Sequence, residues 1–292
     1  MQATAIYYAA VEGHEGCVQA LLDAGATVDA PTNRGWTPLI GASSRNHVAC
    51  MQRLLDGGAD CERTALLEIN ASRTPDITAL FLACFQGHTY VAQCLSSYGA
   101  KRTFGSGELG IDWSAEFICA QREHAYTQRE HASLAEWLRR SQGWTPLHHL
   151  EVLSPARTRA LLRDGANVHA RPTEGVERKT PVERADELFE GRTEAAKQAL
   201  VDRGPAGLGH VIELVRRAAG PWSPRSHDLF AAAERARAVE LLCVGYHLAA
   251  QPRFGGEAQA LIDVWVSHVM SHAVRRPLFD SPDADPSARR LT

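Results

Sequence analysis

Gly35–Asp60, GWTPLIGASSRNHVACMQRLLDGGAD, spells two short helices and the turns that bound them. Thr37 is an N-cap whose hydroxyl accepts an otherwise orphan N–H, and Pro38 takes the first helical position, where no N–H is needed. A short apolar helix follows, Asn46-His47 makes a turn, and a second helix runs to Leu54-Leu55. Gly58 then supplies a left-handed cap. Helices of this length cannot bury an apolar face by themselves. They need a neighbour.

The preceding residues provide one. TAIYYAAVEGHEGCVQALLDAG (Thr4–Gly25) repeats the pattern, and Thr4 to Thr37 and Gly25 to Gly58 are both steps of 33 residues. The recurring letters are Thr37-Pro38-Leu39, Gly13-His14, Leu21-Leu22 and Gly25-Ala26, then Gly87-His88 and Gly99-Ala100 in a third unit. A later unit, Gly143–Ala170, carries Thr145-Pro146-Leu147-His148, Leu161-Leu162 and Gly165-Ala166. This period and these letters resemble the ankyrin repeat family. The resemblance implies an all-α fold, an α-solenoid of about five to six helix-turn-helix units, some degenerate, followed by a C-terminal helical region.

The array is expected over residues 1–204. From Thr37 to Thr78 the step is 41 residues, and the excess falls at 61–74, between units, where a loop can lengthen without disturbing the stack. That loop is a candidate binding finger. A second insertion, 101–130, precedes a degenerate fourth unit in which His131, Leu134, Trp137 and Leu138 match His88, Val91, Cys94 and Leu95. Unit five begins at Thr145, its second helix capped by Ser154-Pro155. Unit six begins at Thr180-Pro181 and stops at Gly204. Helices are predicted over Leu208–Ala219, about Ser226–Leu248 and about Glu257–Val274, so 205–276 reads as a cap on the array; 277–292 is too polar and proline-rich to pack.

Composition narrows the partners. A net charge of −3 and a pI near 6.5 give no basic footprint, so no nucleic acid is expected. No run approaches the ~18 apolar residues of a membrane span, so no membrane is expected and the cytoplasm, or the nucleus, is the default. Seven cysteines, an odd number, fall at helix-core positions, with Cys17 and Cys50 equivalent, and read as small apolar residues of a reduced protein. Ile6, Tyr7 and Tyr8 open the first unit where a terminal repeat usually has a polar face. Either the chain starts inside a longer array, the favoured reading, or another molecule covers this edge. A monomer is expected unless that edge pairs.

No catalytic, cofactor or metal site is expected. GSGELG (Gly105–Gly110) has the spacing of a dinucleotide loop but lacks the strand before it and the packed helix after it. A flexible loop is the better reading. His268 and His272, four apart, could share a zinc, yet no third ligand is evident. His14, His47, His88 and His131 recur at one position, and the ankyrin resemblance implies that they tie neighbouring loops together; it implies a structural role for His148 as well.

What remains is protein binding. The resemblance implies a concave surface made of first-helix faces and inter-repeat tips. By position the first-helix sites are Tyr8, Val11 and Glu12; Gly41, Ser44 and Arg45; Leu82, Phe85 and Gln86; and His149. The tips add Asn33, Arg34 and Trp36, then Lys101 and Arg102, then Arg171 and Glu174. Tyr8, Arg34, Trp36, Arg45, Leu82, Phe85 and Gln86 are the predicted partner-binding residues, because aromatics and arginine dominate interface hot spots. The competing reading is that the hairpins or the insertion at Lys101 to Ser141 cover the bulky ones. An alternative function is a ubiquitin-ligase adaptor: Val239 and Cys243 have the spacing of the Leu-x-x-x-Cys helix of the ankyrin and SOCS-box family, with departures at Ala238, Val239 and His247.

Overall fold

A computed structural model describes residues 3–65, 68–69, 72–73, 77–104, 113–122, 128–190, 207–254 and 256–274. They fall into two compact units, Met1–Val152 with Pro172–Arg178, and Leu153–Arg171 with Lys179–Thr292. The architecture is an all-α helical-repeat solenoid.

The first unit contains four helix pairs: α1 (Ala5–Val11) and α2 (Glu15–Asp23), α3 (Pro38–Ser44) and α4 (Val48–Asp56), α5 (Ala79–Gln86) and α6 (Thr89–Ser97), α7 (Ala115–Arg122) and α8 (Gln128–Arg140). First helices stack on first helices and second on second. Between the two rows runs one buried cluster that includes Val18, Leu39, Met51, Leu54, Leu80, Leu95, Leu134 and Leu138. Small residues at one register, Ala9, Ala42 and Ala83, let the first helices approach closely.

The helix starts follow the sequence chemistry. Thr37 Oγ1 accepts from the Ile40 N–H (3.3 Å) and Thr78 Oγ1 from the Phe81 N–H (3.2 Å), so the cap survives although Ala79 stands where repeat two has proline. Gly58 is left-handed, at φ +88°. Asn46, at φ +59°, fills the position that Gly13 and Gly87 hold in the flanking repeats, a conformation asparagine tolerates better than most side chains.

The first insertion is closed at its base by a bridge between Ala65 and Ile77, and further out strands β1 (Glu68–Ile69) and β2 (Ser72–Arg73) pair antiparallel. The second is not a plain loop. Strands β3 (Thr103–Phe104) and β4 (Trp113–Ser114) pair antiparallel and lead into α7, the first helix of the fourth pair. The GSGELG stretch lies outside the described residues. In repeat five the first helix shrinks to a 3-10 turn, Pro146–His148, in which the Thr145 N–H donates to His148 Nδ1 (3.0 Å).

In the second unit, α9 (Pro155–Arg163) is capped by Ser154, whose Oγ accepts from the Arg157 N–H (3.1 Å). Helix α10 (Pro181–Phe189) opens with a reciprocal box in which Thr180 Oγ1 accepts from the Glu183 N–H (3.1 Å) and Glu183 Oε2 accepts from the Thr180 N–H (2.8 Å). The rest of repeat six, including Gly204, lies outside the described residues, as does the 277–292 tail. Helix α11 (Leu208–Ala219) packs on α9 and α10. Helix α12 (Ala232–Ala249) pairs with α13 (Ala258–Val264), which continues as a π-helical segment, Trp265–Met270. Gly245 makes that pairing close, since a Cβ there would stand 2.5 Å from the Trp265 ring, and Trp265 Nε1 donates to the Leu241 carbonyl (2.9 Å).

Candidate functional site

The first two repeats enclose a groove of about 260 Å³ lined by Tyr7, Val11, Thr32, Arg34, Trp36, Ser44 and Arg45. Each wall has a local cause. The tip between the repeats is locked: Thr32 N–H donates to the Trp36 carbonyl (2.9 Å), Gly35 N–H to the Thr32 carbonyl (2.9 Å), and Thr32 Oγ1 accepts from the Trp36 N–H (3.2 Å). Arg34 therefore projects from a closed turn. Arg45 stands at the C-cap of α3, where a cation meets the negative end of the helix. At Gly41 the two first helices come together, for a Cβ there would lie 2.6 Å from Val11 Cγ2 and 3.3 Å from Tyr7 Cε2.

The electrostatics are consistent with that geometry. Burial pushes the Tyr7 phenol above its ordinary range, neighbouring Tyr8 adds to the shift, and Arg45 opposes it. The Tyr7 and Tyr8 rings meet edge to face at 6.0 Å. Arg34 and Arg45 are exposed, and neither has an ion-pair partner among the described residues.

The expected surface is thus divided. Tyr8 is 52% exposed, Arg34 and Arg45 are exposed, and Trp36 is half-buried. Leu82 is not on the surface: it is 4% exposed, because α5 is apolar around most of its girth and lies between α3 and α7. Phe85 is half-buried and stacks on Phe81 with ring centroids 6.2 Å apart, and Gln86 Oε1 meets His88 Nε2 at 2.8 Å. His149, expected on the first-helix face, is 2% exposed between the rings of Trp137 and Trp144. Arg102 is no free tip: its Nη atoms donate to the Leu138 carbonyl (3.1 Å) and Ser141 Oγ (2.9 Å), and its guanidinium lies 4.9 Å from the Trp137 ring centroid. Arg171 is paired with Glu183 at 2.7 Å. Four groove residues lie outside the predicted set: Val11 and Ser44, which by position fall on first-helix faces, and Tyr7 and Thr32, whose signals in the sequence are an aromatic beside Tyr8 and a Thr-x-x-Gly turn four residues before Trp36.

The repeated histidines are architectural where a preceding repeat exists. His131 Nε2 lies 3.2 Å from the Phe85 carbonyl, and His88 bonds to the backbone of Ser44, the equivalent position one repeat earlier. His14 is exposed. The reading of Cys17 as a core residue is corrected: it is exposed, although its counterpart Cys50 is buried. Among the described residues, α2 packs against α1 and α4.

A second, polar cleft of about 380 Å³ lies on the second-helix side, lined by Gln19, Asp23, Arg53 and Asp56 among others. Its Arg53 is already paired with Glu15 at 2.9 Å. Among the described residues no cluster of His, Cys, Asp and Glu could hold a metal ion, and no helix is long and apolar enough to cross a membrane. Val239 and Cys243 are exposed on α12.

Residues 1–65 match the family model for ankyrin repeats (3 copies), a span that covers the first two helix pairs and the groove between them. No curated protein matches the chain.

Proposed function

We propose, from the premise that residues 1–65 are ankyrin repeats, that this chain is an interaction module that grips a partner protein and performs no chemistry itself. The gripping surface is the first-helix and tip face of repeats one and two, centred on Tyr8, Arg34, Trp36 and Arg45. The observation that carries the reading is the groove itself, an aromatic-lined depression flanked by two exposed arginines on a locked turn and a helix end. Aromatic and arginine side chains in a partly enclosed setting are the residues on which interface energy concentrates. Leu82 belongs to the helix stack, and Phe85 and Gln86 border the surface.

We read the array as extending through residue 204, with 205–276 as its cap. In support, α11 lays Leu208, Val211, Ile212 and Val215 against α9 and α10, the face a last repeat would otherwise leave open. The test is partner capture with the full chain followed by identification and a direct binding measurement. Trp36→Ala with Arg45→Ala is expected to reduce affinity at least tenfold at unchanged helicity, and unchanged affinity refutes the proposed surface.

A second reading, the ubiquitin-ligase adaptor, is favoured by one observation: Val239 and Cys243 are both exposed on α12. Failure of the full chain to bind an elongin-type adaptor in a purified pull-down would end it.

A further inference from the structure

We infer that the groove between the first two repeats selects an acidic linear segment of a partner protein, seating one apolar side chain between carboxylates. This rests on the interaction-module reading above and goes further by fixing the chemistry of the occupant.

Size comes first. Small-molecule sites usually have ~300–1,000 Å³, and this groove has about 260 Å³, room for a single large side chain rather than a metabolite. Tyr7, Val11 and Trp36 make the floor suited to an apolar group.

Charge is the second argument. Several exposed arginines elsewhere in the two units are held by carboxylates, Arg53 by Glu15, Arg139 by Glu136, Arg171 by Glu183 and Arg216 by Asp186, while Arg129, Arg178, Arg225 and Arg237 have no ion pair among the described residues. Arg34 and Arg45 also have none among the described residues, and differ from these in bordering one apolar hollow together. An arginine fork presents parallel donors that match a carboxylate, and the locked tip lowers the entropy lost when Arg34 makes such a pair. Two cations around a small apolar hollow fit two carboxylates around one apolar side chain. Nucleic acid fits less well, because a backbone-tracking site needs a continuous basic surface and the chain as a whole carries −3.

The experiment uses the full chain and three sets of fluorescein-labelled 12-residue peptides. The first has Asp and Glu flanking a central Phe or Leu, the second has Lys in place of the acids, and the third keeps the acids around a central Gly. The expected result is that the first set binds at least tenfold tighter than either other set, weakens as salt rises from 25 to 300 mM, and loses to the second set in the Arg34→Glu, Arg45→Glu double variant. Both arginines are exposed, so that variant keeps the fold, and circular dichroism checks it. Equal binding of the first two sets, or tighter binding of a 12-nucleotide single-stranded DNA, overturns the inference. If a captured partner still depends on Trp36 while acidic peptides gain nothing over basic ones, the acidic preference is wrong and the interaction module stands. If Trp36→Ala leaves partner affinity unchanged, the module's surface itself is wrong.

Discussion

His131 ties the fourth repeat to the third: its Nε2 lies 3.2 Å from the carbonyl oxygen of Phe85, and the same ring closes over Gly87, where a Cβ would come within 3.0 Å of Cε1. His47 covers Gly13 more tightly, at 2.7 Å. The glycine of Gly-His therefore has two duties, a left-handed backbone and a missing side chain beneath the next repeat's imidazole. Gly58 has only the first, since it is left-handed at φ +88° with nothing near its missing Cβ. Gly58→Ala should lose roughly 1 kcal/mol, the cost of an L residue in that region. Gly13→Ala should lose more, by about another 1 kcal/mol, because the His47 ring must be displaced. Urea unfolding of the two variants measures the difference, and equal losses would show that the ring contact has no energetic consequence.

His88 makes the stack sensitive to pH. Burial holds its imidazole below the ordinary range and the neighbouring His131 adds to that, while the bond to the Ser44 backbone and the Glu130 carboxylate oppose it. The folded state thus favours the neutral ring. Its contribution is complete above the unfolded-state value, near ~6.5, and is lost as pH falls through that value and the lower folded one, because the unfolded chain takes up the proton first. The urea midpoint should fall between pH 7.5 and pH 5.0. His88→Gln, which cannot titrate, should show a shallower fall, and an unaltered slope would assign the acid sensitivity to other groups.

Arg102 is a brace for the end of α8. It donates to the Leu138 carbonyl and Ser141 Oγ while lying over Trp137, and its burial lowers its pKa against the opposing charge of Glu116. A cation at a helix C-terminus is favoured by the dipole, and two charge-assisted bonds add to it. Arg102→Ala should therefore destabilise the first unit by about 1–3 kcal/mol. Arg102→Lys should recover less than half of the loss, because an ammonium cannot hold both acceptors in the guanidinium's plane. Chemical denaturation gives both numbers, and full recovery by lysine would reduce the brace to a simple charge effect.

The parts of this fold that are legible in the sequence are those set by local backbone chemistry. Thr37 and Thr78 cap their helices as their hydroxyls require, and Gly58 turns left-handed where the second helix stops. The exposure of a given register is not local, and there the sequence misleads. Tyr8 and Leu82 hold equivalent positions in repeats one and three, yet Tyr8 is open and Leu82 is buried, because α5 lies between α3 and α7. Helix α7 comes from the second insertion, whose letters no longer follow the repeat, so the period does not reveal the helix; its covering of Leu82 agrees with the competing reading that the insertion buries the bulky residues. The groove shows the same logic. Arg34, Trp36 and Arg45 are visible as tip and helix-end residues, whereas Tyr7 joins them through the close approach of α1 and α3 at Gly41 and Thr32 through the closing of the tip.

Cysteine reactivity reads out the same dependence on neighbours. Cys17 and Cys50 occupy one register, but only Cys50 is enclosed by flanking repeats, and burial raises its thiol above the ordinary range. Burial pushes Cys94 up to about 12 against hydrogen bonds from Tyr90 and Gln52, and the bond to Cys119 together with burial raises Cys84 well above the usual value. Thiolate is the reactive species, so enclosed thiols are protected twice, by access and by protonation. Native alkylation at neutral pH followed by peptide mapping should therefore label Cys17 and Cys243 quickly, while Cys50, Cys84, Cys94 and Cys119 react only after denaturation. Rapid native labelling of Cys50 would mean that the contact between the first two repeats opens on the timescale of the reaction. A groove built on that contact would then be transient, and partner affinity would have to include the cost of closing it.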